Sequence, residues 1–233
     1  MKPSLEVFES HIVIVGSFNP PVISPSWLKE NGLIGAEDEK VAMESPSLAI
    51  TPEISRFETE WFWLQVINMQ MSLNSKGPVT PAIKDLVVGI FSLLLHTPVT
   101  AVGLNATGHY KVYSQNDYHK IGDVLAPKTI WNSFYSDSDT QNVGLTELSL
   151  EIHPWKRGGE RKNVPHRRVS LGVSDKVENG VRLNFNHHFP ILADEKKKKA
   201  GEILIDIVES DWQSSMDEAE KLFDCVLNRA IDI

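Results

Sequence analysis

The residues best able to do chemistry lie in the C-terminal half and recur at every second position. Along Leu145 to His153, Glu147, Ser149, Glu151 and His153 alternate with Thr146, Leu148, Leu150 and Ile152. Along Arg167 to Ser174, Arg168, Ser170 and Ser174 oppose Val169, Leu171 and Val173. Along Val181 to Phe189, Arg182, Asn184, Asn186 and His188 oppose Val181, Leu183, Phe185 and Phe189. Successive side chains of an extended chain point to opposite faces. If the three segments are neighbouring strands, Glu147, Glu151, Arg168, Arg182, Asn184, Asn186 and His188 therefore share one sheet face. His109 and Lys111 join it from an earlier segment. Carboxylates, guanidinium groups, amides and an imidazole on one surface suit hydrogen bonding to a polar ligand or partner. They equally suit a solvated face, which antiparallel sheets commonly carry. Asn184 and Asn186 favour the first reading, because asparagine is depleted in strands.

A second cluster is basic. Trp155 to Arg168 reads WKRGGERKNVPHRR, with six Lys or Arg and one Glu. Arg157 and Arg161 beside Trp155 and His166 would suit a phosphate backbone with a stacked base; a charged, solvated hairpin loop is the plain alternative. His187 and His188 are adjacent, so their imidazoles point to opposite faces and do not share an ion. His187 falls among the apolar set, as a hydrogen-bonded core histidine would. No zinc or calcium ligand spacing, nucleophile elbow, phosphate loop or dinucleotide fingerprint is present. No metal, no cofactor and no catalytic residue is assigned.

These groups need a scaffold, and the composition provides for one. The chain has 233 residues, 41% of them hydrophobic and 23% charged, enough for a substantial core. Its 23 basic and 31 acidic residues give a net charge of −8, which disfavours general nucleic-acid binding. Cys225 has no partner for a disulfide. Met1 to Ser10 lacks the plan of a secretory signal, and the run Leu86 to Leu95 is half of the ~20 residues a bilayer span needs. The expectation is a cytoplasmic protein with no membrane partner, folded as one domain over residues 1–233.

Strands are expected at His11 to Phe18, Val41 to Ile50 and Val99 to Tyr113, with one long strand at Arg56 to Leu73. Later strands follow at Leu145 to His153, Arg167 to Ser174, Val181 to Ile191 and Gly201 to Val208. Asn179-Gly180 marks a tight hairpin turn. Helices are expected at Ser26 to Leu33, from Thr80-Pro81 through Leu95, at Tyr118 to Leu125 and from Pro127 past Phe134. A last helix opens at a Ser215/Glu218 capping box and carries Ala219, Leu222, Phe223, Val226, Leu227 and Ala230. Hairpin-linked strands with few helices give an α+β fold: a largely antiparallel sheet with helices packed on one face.

This order of elements, with Phe18-Asn19-Pro20-Pro21 after the first strand, Val102-Gly103-Leu104-Asn105 after the buried helix and a closing helix, resembles a sporadically distributed family of uncharacterised bacterial proteins. The resemblance covers most of the chain and implies no activity and no site. The functional expectation is a non-enzymatic binding or assembly protein, offering the polar face and basic loop to a protein partner or a second copy. The alternatives are a hydrolase or transferase working around His188, and a nucleic-acid binder using residues 155–168.

Overall fold

The computed structural model describes residues 2–77, 81–129, 131, 143–156, 163–192 and 198–232. Nine strands form one antiparallel sheet: β1 Ser4–Gly16, β2 Ala49–Ile50, β3 Ile54–Glu58, β4 Phe62–Ile67, β5 Gln70–Ser75, β6 Val99–Lys111, β7 Glu147–Ile152, β8 His166–Val173 and β9 Gly180–Pro190. Their order is β2-β3-β4-β5-β1-β6-β9-β8-β7. The described helices are α1 Pro25–Glu30, α2 Ala36–Glu44, α3 Pro81–Leu93, α4 Gln115–Leu125 and α5 Ala200–Asp232. The fold is α+β, with the helices on one side of an antiparallel sheet.

Period two decides which side. On β1, Ser10, Ile12 and Ile14 are buried, while His11 and Val13 between them are only partly so. Leu104 and Ala106 on β6 and Leu183 and Phe185 on β9 continue the buried set. Against it lies α5, whose stripe Leu204, Val208, Trp212, Ser215, Met216, Ala219, Phe223 and Leu227 repeats at helical spacing. Phe223 packs edge-on against both Phe8 and Tyr110. Gly108 makes that approach possible, since a Cβ there would stand 3.0 Å from the Phe223 ring. At the other flank, the Ser55 hydroxyl donates to the Ile23 carbonyl (2.6 Å), tying the segment before α1 to the same side of β3.

Three elements differ from the sequence-based expectation. Gly201 to Val208 is not a strand but the first turns of α5. Its alternation of Ile203, Ile205 and Ile207 coincides with a stripe at four-residue spacing, Leu204, Val208 and Trp212, which is buried in the core. Ser215 therefore sits in mid-helix and caps nothing. Val41 to Ile50 splits into the end of α2 and the short β2; the first turn of α2 holds Glu37, Asp38 and Glu39, which suit a helix N-terminus. The long strand at Arg56 to Leu73 is three strands, β3, β4 and β5. The two-residue turn at Asn68-Met69 reverses the facing, so Met71 and Leu73 join the core while Trp63 and Gln65 face away. Thr80 and most of the expected helix after Pro127 lie outside the described residues.

Candidate functional site

Strand register arranges the uncovered face as parallel rows that cross the sheet. Reading the partners from β3 to β7, one row runs Glu58, Trp63, Asn74, His11, Asn105, Asn186, Arg168, Glu151. The next row toward the Asn179 turn is Glu9, Thr107, Asn184, Ser170, Ser149. Beyond it stand His109, Arg182, Gly172 and Glu147. On the other side are Val13, Gly103, His188 and His166. The antiparallel ladder alone brings residues far apart in sequence to side-by-side positions about 4.8 Å apart.

Hydrogen bonds link these rows. The Thr107 hydroxyl donates to Asn184 Oδ1 (3.0 Å), and Asn184 Nδ2 donates to Ser170 Oγ (3.0 Å). Thr107 Oγ1 also lies 3.1 Å from His11 Nε2. Its single proton is committed to Asn184, so it accepts from Nε2–H, and His11 is the tautomer whose Nδ1 carries a lone pair. Asn186 Nδ2 donates to Asn105 Oδ1 at 2.5 Å. Gly103 gives this pair its room, because a Cβ there would lie 3.2 Å from Asn186 Nδ2 and 3.3 Å from Asn105 Nδ2.

Charges on the face are mostly paired. Arg168 is bound to Glu151, whose second oxygen accepts from His153 Nε2 (3.1 Å). Lys76 pairs with Glu58 at 2.7 Å and Lys176 with Glu9 at 2.5 Å. These contacts hold the Glu58 and Glu151 carboxyls below the ordinary carboxylate pKa. The Lys176 link folds the β8–β9 connection over the face and covers His109, whose Nδ1 meets Ser174 Oγ at 2.8 Å. Burial lowers the pKa of His11 and of His109, and of His188 as well, with His166 and Arg168 adding to the effect at His188. All three imidazoles are neutral near pH 7.

At the β7–β8 end, four rings form a ladder: Trp155 stacks on His153 (3.9 Å), His153 neighbours His166 (5.2 Å), and His166 neighbours His188 (4.7 Å). Among the described residues no group of three or more His, Cys, Asp or Glu side chains is placed to hold a metal ion.

The register places Glu147, Glu151, Arg168, Arg182, Asn184, Asn186 and His188 on this one face, and Trp155 at its corner. They are not one cluster. His188 and Arg182 are six residues apart on β9, about 20 Å at the rise of a strand, so Glu147 is remote from His188. Glu151 bonds Arg168 and His153 rather than His188, and Ser170 bonds Asn184; no nucleophile, base and orienting group are assembled there. Arg157 and Arg161 lie outside the described residues. Arg167, counted with the basic loop in the sequence, faces the opposite side. Its guanidinium grips Glu218 of α5 with two bonds of 3.0 and 2.9 Å, so its charge is already matched.

The sequence reading missed Glu9, His11, Trp63, Asn74, Asn105 and Thr107, which hold the middle of the face. The alternation His11, Val13, Val15 against Ile12, Ile14 was the available signal for His11. Trp63 needed the turn at Asn68-Met69 to be recognised first.

Two hollows open on the face and share His11. One, about 220 Å³, is floored by Asn105, Thr107, Asn184 and Asn186 with Arg168 and Ser170 at its side. The other, about 720 Å³ and more open, is lined by Trp63, Asn74, Glu9, Glu58, Glu60 and Lys176. His188 lines neither. No family model matches the chain, and no curated protein matches it. Among the described residues no helix is long and apolar enough to cross a membrane.

Proposed function

We propose that this is a binding protein and that the uncovered face of its sheet is the binding surface. One observation carries the reading. Among the described residues, three buried side-chain polar atoms lack a hydrogen-bond partner: His11 Nδ1, His153 Nδ1 and Arg182 Nε. All three belong to the uncovered face. Among the described residues of the helix-covered side, which include Ser10, Ser55, His187 and Ser215, no buried side-chain polar atom lacks a partner. A buried polar group left unpaired costs about 1–3 kcal/mol. A face that keeps three such groups, one of them (His11) lining both hollows, is organised for an external partner rather than for stability. The paired charges and the scattered positions of His188, Ser170 and Glu151 favour binding over acid–base chemistry.

Thermal unfolding of the full chain with three probes tests this: a soluble neutral glucan, single-stranded DNA and polyglutamate. A true ligand at ~100 times its Kd adds about 2.7 kcal/mol, a shift in Tm of ~5–10 °C at this chain length. At least one probe is expected to raise Tm in the native chain and not in an Asn105→Ser, Asn184→Ser variant. A probe that stabilises both alike would place binding elsewhere, and none stabilising would defeat the reading.

A further inference from the structure

The two hollows adjoin at His11, which lines both. Taken together as one trough, their span crosses β4, β5, β1, β6, β9 and β8, about 24 Å at the usual interstrand spacing. It runs perpendicular to the strands, along the row Trp63, Asn74, His11, Asn105, Asn186, Arg168. We propose that this trough binds a neutral oligosaccharide chain lying across the strands. This deepens the binding role proposed above and rests on it.

The chemistry of the floor selects the ligand. Asn74, Asn105, Asn184 and Asn186 offer amides, each able to donate and accept, which is what neighbouring sugar hydroxyls require. In the row Asn74, His11, Asn105, Asn186 the polar side chains stand on successive strands about 4.8 Å apart, close to the length of a pyranose ring, so consecutive strands meet consecutive rings, with Asn184 flanking the row. His11 Nδ1, buried without a hydrogen-bond partner and set beside Asn74, is placed to meet a ligand hydroxyl. At one end the half-buried Trp63 offers an indole, the side chain best suited to the apolar face of a sugar ring.

Charge along the trough disfavours the polyanionic alternatives; Arg182, which has no carboxylate partner among the described residues, lines neither hollow. Phosphate recognition needs unmatched Lys or Arg. Here Lys76, Lys176 and Arg168 are each paired with a glutamate, and Glu60 adds a further negative charge at the mouth. A nucleic acid or an acidic polysaccharide would meet net repulsion. A neutral chain of hydroxyls meets none.

A glycan array carrying neutral and anionic oligosaccharides, followed by calorimetry with a length series of the best neutral hit, provides the test. Neutral members are expected to bind, with affinity rising with each added sugar until the trough is filled. Trp63→Ala and Asn105→Ser should each weaken binding ~10-fold or more. Should either variant fail to fold, by circular dichroism, amide chemical-shift mapping of the native chain with the same sugar substitutes: perturbations must follow residues 63, 74, 105 and 186. An array with no neutral hits, binding confined to anionic sugars, or shifts mapping to the helix side overturns the proposal. Binding of single-stranded DNA that is lost in the Asn105→Ser, Asn184→Ser variant overturns it too, while leaving the uncovered face as the binding surface.

Discussion

His187 Nδ1 lies 2.9 Å from Ser215 Oγ, a hydroxyl held in the middle of α5. The imidazole is 5% exposed, and burial lowers its pKa to about 4. In the unfolded chain the value returns to ~6.5. Between these values the unfolded chain binds a proton that the folded one refuses. Stability is therefore complete above about pH 6.5 and falls as the pH drops toward 4. His11, His109 and His188 are shifted in the same direction and add to the trend. Urea unfolding between pH 7 and pH 5 should show a loss of about 1–2 kcal/mol from His187. His187→Gln should lower stability at pH 7 but flatten the slope; an unchanged slope would mean that His187 is not the group titrating.

Gly103 sits where the two amides of the trough floor meet. Alanine there must displace Asn105 or Asn186 by a few tenths of an ångström, since its Cβ would lie 3.2–3.3 Å from both Nδ2 atoms. Both neighbours are flexible side-chain ends, so the expected cost in stability is ~1 kcal/mol or less. The expected effect on binding is larger, because the Asn186–Asn105 bond orients the donors of the floor. Gly103→Ala should leave the thermal transition within a few degrees of native while weakening ligand binding severalfold. Equal binding by the variant would show that the amide pair does not position the ligand.

Arg167 and Arg168 are neighbours in sequence and opposites in role. Arg167 joins β8 to α5 through a two-pronged bond to Glu218, whereas Arg168 pairs with Glu151 on the exposed face. Exposed pairs contribute ~0–1 kcal/mol, and the geometry of Arg167 places it at the upper end of that range or above. Arg167→Ala should lower Tm measurably and leave ligand affinity unchanged. Arg168→Ala should do the reverse. Chemical denaturation and calorimetry on the two variants separate the cases, and a shared phenotype would contradict the opposite facings of the two side chains.

What the sequence revealed followed the strength of its periodic signals. The C-terminal strands were legible because each alternates cleanly; the Asn-Gly signal marked the β8–β9 hairpin, where Asn179 is left-handed at φ 54, but the connection runs over six residues, 174–179, rather than the tight two-residue turn expected. The alternation placed Glu147, Arg168, Asn184 and His188 on one side without any structure. It could not reveal register, and register decides that Asn186 stands beside Asn105 while His188 stands beside His166. The first half of the site was hidden for a different reason. A two-residue turn such as Asn68-Met69 keeps period two running through the letters while exchanging the faces. The helical start of α5 was hidden because Ile203, Ile205 and Ile207 satisfy a strand pattern too, and only burial of Leu204, Val208 and Trp212 in the core decides between them.

Gly108 and Phe223 should behave as one unit in stability. A Cβ at Gly108 would lie 2.8 Å from Tyr110 Cε2 and 3.0 Å from Phe223 Cδ2, so alanine must push one ring away. Tyr110 is not free to yield, since its hydroxyl donates to Asp224 on α5 (3.1 Å) and its ring packs on Phe223. Gly108→Ala should cost about 1–3 kcal/mol by overpacking, and Phe223→Ala about 3–5 kcal/mol by opening a cavity. In the double variant the new methyl group occupies part of the space that the phenyl ring vacates. The two costs should therefore sum to less than their separate values, with a coupling of ~0.5–3 kcal/mol. A urea double-mutant cycle measures it. Strict additivity would mean that α5 approaches the sheet independently of the missing side chain at position 108.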